Sequence, residues 1–385
     1  MIQRDLADTL KQMAAVYPVV TVIGPRQSGK TTLAKNAFPD YAYVNLERQE
    51  TRQFAKEDPK GFFESNPPPL IIDEVQRCPE LLSEVQVVSD ALGKNGMFIL
   101  TGSQQLPLME GVTQSLAGRT ALLTLLPLSL RELSRVGVSK GRDEALLWGG
   151  MPRIYDNAIE PGIYCRDYFR TYVERDIRSL MKIKDFDKFE IFVKLLAGRV
   201  GQIFNASALA GDVGVTNKTI VEWVNLLEVT NIIFKLRPWY GNLGKRLVKS
   251  PKIYFTDTGL VAMLLGIETK EQLSRDPLVG NLFENMVVLE IMKSALNKNA
   301  MTEFFYFRTE TGLEVDLLFK QGTAWNGVEI KSAATVNSDF FKNMEKLSKL
   351  PGFETLSKHL VYSGENIKSY KGVRCWNFRD AGDVC

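Results

Sequence analysis

Hydrophobic and polar positions change rhythm several times along this chain. Residues 2–17 place Ile2, Leu6, Leu10, Met13 and Ala14 at helical spacing, which predicts a leading helix. Five short apolar runs come next: Val19-Val20-Thr21-Val22-Ile23, Tyr41-Ala42-Tyr43-Val44-Asn45-Leu46, Leu70-Ile71-Ile72-Asp73-Glu74, Met97-Phe98-Ile99-Leu100-Thr101 and Ala121-Leu122-Leu123-Thr124-Leu125-Leu126. Such runs do not alternate with polar residues, as in strands covered on both faces, so they predict a five-stranded parallel sheet within residues 1–127. Over residues 128–200 the pattern turns helical and charged. Leu128-Ser129-Leu130-Arg131-Glu132-Leu133 opens one helix, Tyr168-Phe169-Arg170-Thr171-Tyr172 lies in another, and Gly149-Gly150-Met151-Pro152 between them predicts a hinge in a helical lid.

Residues 201–266 read as helix, turn, helix and two strands. Ala206-Ser207-Ala208-Leu209-Ala210 gives the first helix, and Val213-Gly214-Val215 the turn. Thr216 caps a second helix with Ile220, Trp223, Val224 and Leu227 on one face. Strands at Ile232-Ile233-Phe234-Lys235-Leu236 and Lys252-Ile253-Tyr254-Phe255 then flank a basic loop, which is the order of a winged helix. Residues 267–385 open on an amphipathic helix carrying Glu284. They continue through Phe304-Phe305-Tyr306-Phe307-Arg308, Glu314-Val315-Asp316-Leu317-Leu318-Phe319 and Gly327-Val328-Glu329-Ile330-Lys331, a second α/β domain.

Composition narrows the class. A chain of 385 residues with 45% hydrophobic and 24% charged content is long enough for two or three globular domains. The net charge of +3 argues for no polyanionic partner by itself, so only local clustering bears on that question. Residues 201–255 hold seven Lys/Arg against three Asp/Glu, a surplus of four, with Lys218 near the start of the second helix and Lys245, Arg246 and Lys249 on the wing. Those positions suit phosphate contacts with DNA, and protein docking is the other use of such a module. The four cysteines lie far apart with no C-x-x-C pair, and His359 is the only histidine. A zinc knuckle, a disulfide framework and a multi-histidine metal site are therefore disfavoured, and a reducing, cytoplasmic setting is expected. The start lacks a signal-peptide core, and no apolar run approaches the ~18 residues of a membrane span.

The chemistry concentrates at two places. Gly24-Pro25-Arg26-Gln27-Ser28-Gly29-Lys30-Thr31 is the full phosphate-binding loop pattern, preceded by a strand run and followed by a helix start at Thr32. Glycines let the backbone curl so that N–H groups and the helix N-terminus face the phosphates of a nucleoside triphosphate. Lys30 then reaches the β- and γ-phosphates, and the Thr31 hydroxyl is placed to hold Mg²⁺. Asp73 and Glu74, at the end of a strand about forty residues later, take the roles of Mg²⁺ support and water activation. A Glu beside the Asp favours hydrolysis, with a small-molecule kinase as the alternative. Ser103 at the end of the fourth strand is placed either to contact the γ-phosphate or to make a turn. Arg119, just before the fifth strand, is a candidate to stabilise transition-state charge in cis or across a homo-oligomer boundary, against an ordinary salt-bridged arginine.

In the rear domain, period-two spacing puts Glu329 and Lys331 on one strand face, beside Asp316 of the neighbouring strand. Two carboxylates, with Glu284 from the helix, form an oxygen donor set for Mg²⁺, while Lys331 orients water for attack on a phosphodiester. The competing reading is a nuclease-like fold that keeps its acids for structure or binding.

These motifs carry a resemblance. With Leu100-Thr101-Gly102-Ser103, Gly149-Gly150-Met151-Pro152 and Tyr172-Val173-Glu174-Arg175-Asp176, the chain resembles a family of bacterial and archaeal AAA+ ATPases whose C-terminal half is an uncharacterised nuclease-like domain. The rear half is similar to the PD-(D/E)xK phosphodiesterase fold, Asp316, Glu329 and Lys331 matching its core positions; Val315 stands where the motif name has proline. The resemblance implies ATP, Mg²⁺ and DNA as ligands. It also implies four parts: an AAA+ core at 1–127, a helical lid at 128–200, a winged helix at 201–266 and a restriction-endonuclease-like α/β domain at 267–385.

Overall fold

A computed structural model describes residues 2–102, 115–173, 186–241 and 249–385. The front half is built on five parallel strands, β1 (Val19–Ile23), β2 (Ala42–Asn45), β3 (Leu70–Asp73), β4 (Phe98–Gly102) and β5 (Thr120–Thr124). Their order across the sheet is β2-β3-β4-β1-β5. β1 is central, with Val20 beside Ile99 on β4 and Ala121 on β5. Alternate residues of β1 serve two cores. Val20 and Val22 pack with Leu6 and Leu10 of helix α1 (Leu6–Val16) and Leu33 of helix α2 (Lys30–Ala37). Val19 and Ile23 join Phe62, Leu81 and Phe98 on the other face. The three inner strands β1, β3 and β4 are buried along their whole length, whereas the edge strands β2 and β5 are only partly covered. Because β4 lies between β1 and β3, the acids at the end of β3 stand one strand away from the phosphate loop, on the same sheet edge.

The rear half contains an eight-stranded mixed sheet. It is formed by β6 (Ile233–Pro238), β7 (Lys252–Phe255), β8 (Phe304–Arg308), β9 (Glu314–Gln321), β10 (Ala324–Lys331), β11 (Ser357–Tyr362), β12 (Ile367–Tyr370) and β13 (Val373–Asn377). The order is β12-β13-β11-β10-β9-β8-β6-β7. The sheet runs across the boundary expected at residue 266, with strands on both sides of it. The antiparallel pair β6–β7 continues the rear sheet, since Arg237 and Pro238 pair in parallel with Phe305 and Tyr306. One hydrophobic core also spans the boundary expected at residue 200, shared by Tyr164, Phe192, Trp223, Phe255, Leu282 and Phe378.

The expected hinge is likewise a junction. Gly149 (φ +62) and Gly150 lie against Asp257; the Gly150 N–H donates to Asp257 Oδ2 at 2.7 Å, and Gly150 O accepts from Leu128 N–H at 2.7 Å. Asp257 also caps the helix Thr258–Leu264 through Leu260 N–H. A glycine pair is needed here because a Cβ on Gly149 would meet Asp257 Oδ1 at 2.3 Å. Among the described residues, no helix is long and apolar enough to cross a membrane.

Candidate functional site

The phosphate loop runs from the end of β1 to the start of α2. Gly24 adopts φ +147 and lies so close to β5 that a Cβ would meet Leu125 O at 2.1 Å, which fixes glycine at the first position. Gly29 (φ +94) precedes α2, whose first residue is Lys30. Lys30 is buried, and its ammonium donates to the loop's own carbonyls, Gly24 O at 3.1 Å and Pro25 O at 2.7 Å. Burial pulls its pKa down to about 8, only partly opposed by Glu74 and Asp73. The Ser28 hydroxyl is buried with no hydrogen-bond partner. Gln27 (φ +58) accepts from the Tyr164 hydroxyl at 2.6 Å, which ties the loop to the helix Pro161–Tyr168. Arg26 stands 3.8 Å from Glu47. Thr32 and Gly29 line a cavity of about 280 Å³ closed by Gln3, Ala7 and Pro152.

At the end of β3, Asp73 is held by hydroxyls. Thr31 Oγ1 donates to both of its oxygens at 3.0 Å, Tyr43 OH donates to Oδ2 at 2.9 Å, and Thr101 Oγ1 donates to Oδ1. Burial and Asp73 together raise the Tyr43 pKa, which keeps that phenol a donor. Glu74 adopts a left-handed backbone (φ +57), and its carboxylate accepts from Gln76 Nε2 at 2.6 Å. Its N–H lies 3.4 Å from Thr101 Oγ1, so Thr101 spans both acids. Lys30, Thr31, Asp73 and Glu74 are thus brought to one sheet edge. Sequence reasoning misses Tyr43, Thr101 and Gln76 as members of this site. Thr101 closes the apolar run of β4, and that position is its only signal.

Two candidates are not part of this grouping. Ser103 lies outside the described residues. Arg119 precedes β5, at the opposite end of the sheet from the loop that follows parallel β1, roughly 17 Å away for a five-residue strand. Its guanidinium is engaged with Asp90, Nε to Oδ1 at 2.7 Å and Nη2 to Oδ2 at 2.9 Å. Arg119 is therefore not a charge-stabilising group for this chain's own phosphate loop.

The rear cluster is organised by lysines. Register places Val328 opposite Leu317, so Glu329 and Asp316 are neighbours across β10 and β9. Lys331 Nζ lies 2.6 Å from Glu329 Oε1 and 3.7 Å from Asp316 Oδ2, and Asp316 Oδ2 also accepts from Ile330 N–H at 2.8 Å. Burial, reinforced by Asp316, pushes Glu329 up to about 8, and its Oε2 is buried without a hydrogen-bond partner. The third acid is claimed by β7. Lys252, 4% exposed, reaches Glu284 Oε1 at 2.8 Å and Glu314 Oε1 at 2.7 Å, and Tyr254 OH donates to Glu284 Oε1 at 2.5 Å. Among the described residues, no group of three or more His, Cys, Asp or Glu side chains is arranged to hold a metal ion. Each acid of the expected Mg²⁺ set therefore has a lysine within 4 Å, Lys252 for Glu284 and Lys331 for Asp316 and Glu329. Sequence reasoning misses Lys252, because its strand reads locally as the wing of a separate domain.

A parallel sheet of this order, a phosphate loop on its central strand and an acid pair on the next strand but one define an AAA-like P-loop ATPase core. Residues 16–134 match the family described as an AAA domain, residues 139–271 match a domain of unknown function (DUF8612), and residues 279–380 match a domain of unknown function (DUF4143). The chain belongs to the same family as the uncharacterised protein Rv2008c of Mycobacterium tuberculosis, with 31% identity over 369 residues covering 94% of this chain and 80% of that protein. The uncharacterised protein Mb2031c of Mycobacterium bovis matches with the same figures. MJ1637 of Methanocaldococcus jannaschii is 23% identical over 312 residues, 64% of each chain. Among solved structures, the Walker-type ATPase PABY2304 of Pyrococcus abyssi aligns with a TM-score of 0.47 and 14% identity, covering 69% of this chain and 96% of that one. AMPPCP-bound DnaA from Aquifex aeolicus aligns with a TM-score of 0.27 and 15% identity, covering 58% and 85%.

Proposed function

We propose that the chain hydrolyses ATP with Mg²⁺ at the front sheet edge and that its rear half grips DNA without metal-dependent cleavage. The observation that carries the first part is the setting of Asp73, a buried carboxylate met by three hydroxyls, one of them on Thr31 beside the phosphate-binding lysine. Hydroxyl and carboxylate oxygens are the hard donors that suit Mg²⁺, and the unpartnered Ser28 hydroxyl suits a phosphate oxygen. Thr31 and Asp73 would hold Mg²⁺, whose charge would neutralise the phosphate oxygens. The loop from Gly24 to Thr31 wraps the phosphates, and Lys30 gives up its bonds to Gly24 O and Pro25 O to pair with them. Glu74, steadied by Gln76, takes the proton of the attacking water. The cavity beside Thr32 is the place for the base, and Ser103 contacts the γ-phosphate or the water. Changing Glu74→Gln keeps nucleotide affinity and slows hydrolysis by at least about 100-fold. Hydrolysis at the original rate overturns the assignment.

The rear reading rests on the helix pair Ala206–Val213 and Asn217–Val229 and the antiparallel β6–β7, with Ile203 bridging Lys252, which we read as a winged helix built into a nuclease-like sheet. Lys218, 87% exposed near the start of the second helix, and exposed Lys249 are its phosphate contacts; Lys245 and Arg246 lie outside the described residues. Salt-sensitive retardation of duplex DNA that weakens in Lys218→Glu supports this reading. Nicking of plasmid with Mg²⁺ or Mn²⁺, lost in Asp316→Ala, overturns the non-cleaving part.

A further inference from the structure

Arg4 stands outside the phosphate loop and ties it to two other segments of the chain. Its Nη1 donates to Ser28 O at 2.6 Å, Nη2 donates to Leu126 O at 2.6 Å, and Nε donates to Glu132 Oε1 at 3.0 Å. The side chain is buried, and Glu132 is fully so. With the charge answered by Glu132 and each nitrogen occupied, Arg4 is not itself a phosphate ligand. What it fixes is a peptide plane. In a trans peptide the carbonyl of one residue and the N–H of the next point in opposite directions. Pulling Ser28 O toward Arg4 turns the Gly29 N–H to the other side, into the loop's concave face where phosphate oxygens bind in this motif. Gly29 is held at φ +94, and the space a Cβ would fill there lies 3.5 Å from Arg4 Nη1, so the guanidinium packs directly against this turn of the loop. The second nitrogen clamps the segment after β5, against which Gly24 is packed.

We infer that Arg4 is a positioning residue for the nucleotide phosphates, orienting the Ser28–Gly29 peptide and linking it to the rear half. The inference rests on the nucleotide site proposed above. The link runs through one turn. Glu132 completes a capping box with Ser129, Oε2 accepting Ser129 N–H at 2.9 Å and Ser129 Oγ accepting Glu132 N–H at 3.1 Å. The other side of that turn is held by the helix Val279–Asn297. Glu290 Oε2 accepts Leu130 N–H at 2.8 Å, and Lys293 Nζ donates to Leu128 O at 2.8 Å. Arg4, which holds the phosphate loop, and the helix that carries Glu284 therefore both bond residues 128–132.

The test is ADP affinity by calorimetry on the full chain, read beside the melting temperature, for wild type, Arg4→Met, Arg4→Lys and Glu132→Gln. Arg4→Met should weaken ADP binding by about tenfold, the loss of one well-aimed phosphate donor. Arg4→Lys, which reaches one carbonyl, should fall between Arg4→Met and wild type, and it carries the test if Arg4→Met does not fold. Glu132→Gln keeps an acceptor for Arg4 Nε, so it should lower the melting temperature while binding ADP within about twofold of wild type. Folded Arg4→Met, or Arg4→Lys in its place, with wild-type ADP affinity overturns the inference. So does affinity in Glu132→Gln that falls in step with stability. Wild type that takes up no ADP instead refutes the nucleotide site itself.

Discussion

Replacing Lys252 with methionine removes a buried cation while keeping its length. Two carboxylates lose a partner, but unequally. Glu314 keeps Arg308, whose Nη1 lies 2.6 Å from Glu314 Oε2, and it is 22% exposed. Glu284 keeps only the Tyr254 hydroxyl, and burial already raises its pKa. Removing one partner of a buried pair costs about 3–5 kcal/mol. Glu284 can escape part of that cost by taking up a proton, so the lower end, about 3 kcal/mol, is expected at pH 7. The double change Lys252→Met with Glu284→Leu should recover most of the loss, because no charge is then left unanswered. Trp239 and Trp325 pack against Phe353 in the same half and report its unfolding by fluorescence in urea. The same samples, free of nucleotide, are titrated with Mn²⁺: wild type should take up none at this cluster, since lysines already supply its positive charge. A loss below about 1 kcal/mol in Lys252→Met would place the pair among those that contribute little. Mn²⁺ uptake by wild type that disappears in Asp316→Ala would refute the reasoning outright.

Other expectations come from single contacts. Gly149→Ala forces a Cβ to within 2.3 Å of Asp257 Oδ1 at φ +62, ψ −158, and should cost about 3 kcal/mol by thermal melting. Arg119→Ala should leave the turnover of the isolated chain within about twofold, because only Asp90 loses its partner at that exposed site. His359 is held neutral: the Trp376 indole N–H donates to Nδ1 at 3.1 Å, leaving Nε2 to carry the proton toward Asn326 Oδ1. Burial, then repulsion from Arg374, pushes its pKa down to about 4. The unfolded chain binds that proton more readily, so stability is full above about pH 6.5 and falls as pH drops toward 4, by roughly 2 kcal/mol after allowing for partial exposure. His359→Gln should flatten that acid limb in urea unfolding measured from pH 7 to pH 4.

How much of this is legible from sequence depends on whether the signal is local. The inner runs of the front sheet, β1, β3 and β4, are readable because each is covered on both faces, and a strand of that kind writes itself as an uninterrupted apolar stretch. The phosphate loop is readable because Gly24 needs a clearance, and Gly29 at φ +94 a backbone angle, that favour glycine. The β8–β9 hairpin and the approach of Asp316 to Glu329 come from period two alone. Long-range pairing leaves no such mark. Arg237 and Phe305 are 68 residues apart, so nothing near either announces that β6 extends the rear sheet and delivers Lys252 to Glu284. Arg4 is similarly silent, a lone arginine whose three partners lie at Ser28, Leu126 and Glu132. The glycine pair at 149–150 reads as loose because glycine permits motion. Here it is required by close approach instead, with Asp257 occupying the space a side chain would need.

The two acid clusters of the chain are distinguished by what answers their charge. At the front, Asp73 is met by the hydroxyls of Thr31, Tyr43 and Thr101, which orient a carboxylate but do not neutralise it. The nearby lysine is turned onto backbone carbonyls and is itself disfavoured in its charged form by burial. An anion facing Lys30 and a cation facing Asp73 would each relieve a strain that the polypeptide leaves in place, and a magnesium–polyphosphate brings both together. At the rear, Lys252 and Lys331 already stand against Glu284, Glu314, Glu329 and Asp316. An arriving divalent ion would have to compete with both ammonium groups, and Lys252, 4% exposed, would stay buried beside it. The same residue types thus give opposite electrostatic demands in the two halves, and the difference lies in whether the counter-charge is tethered to the chain.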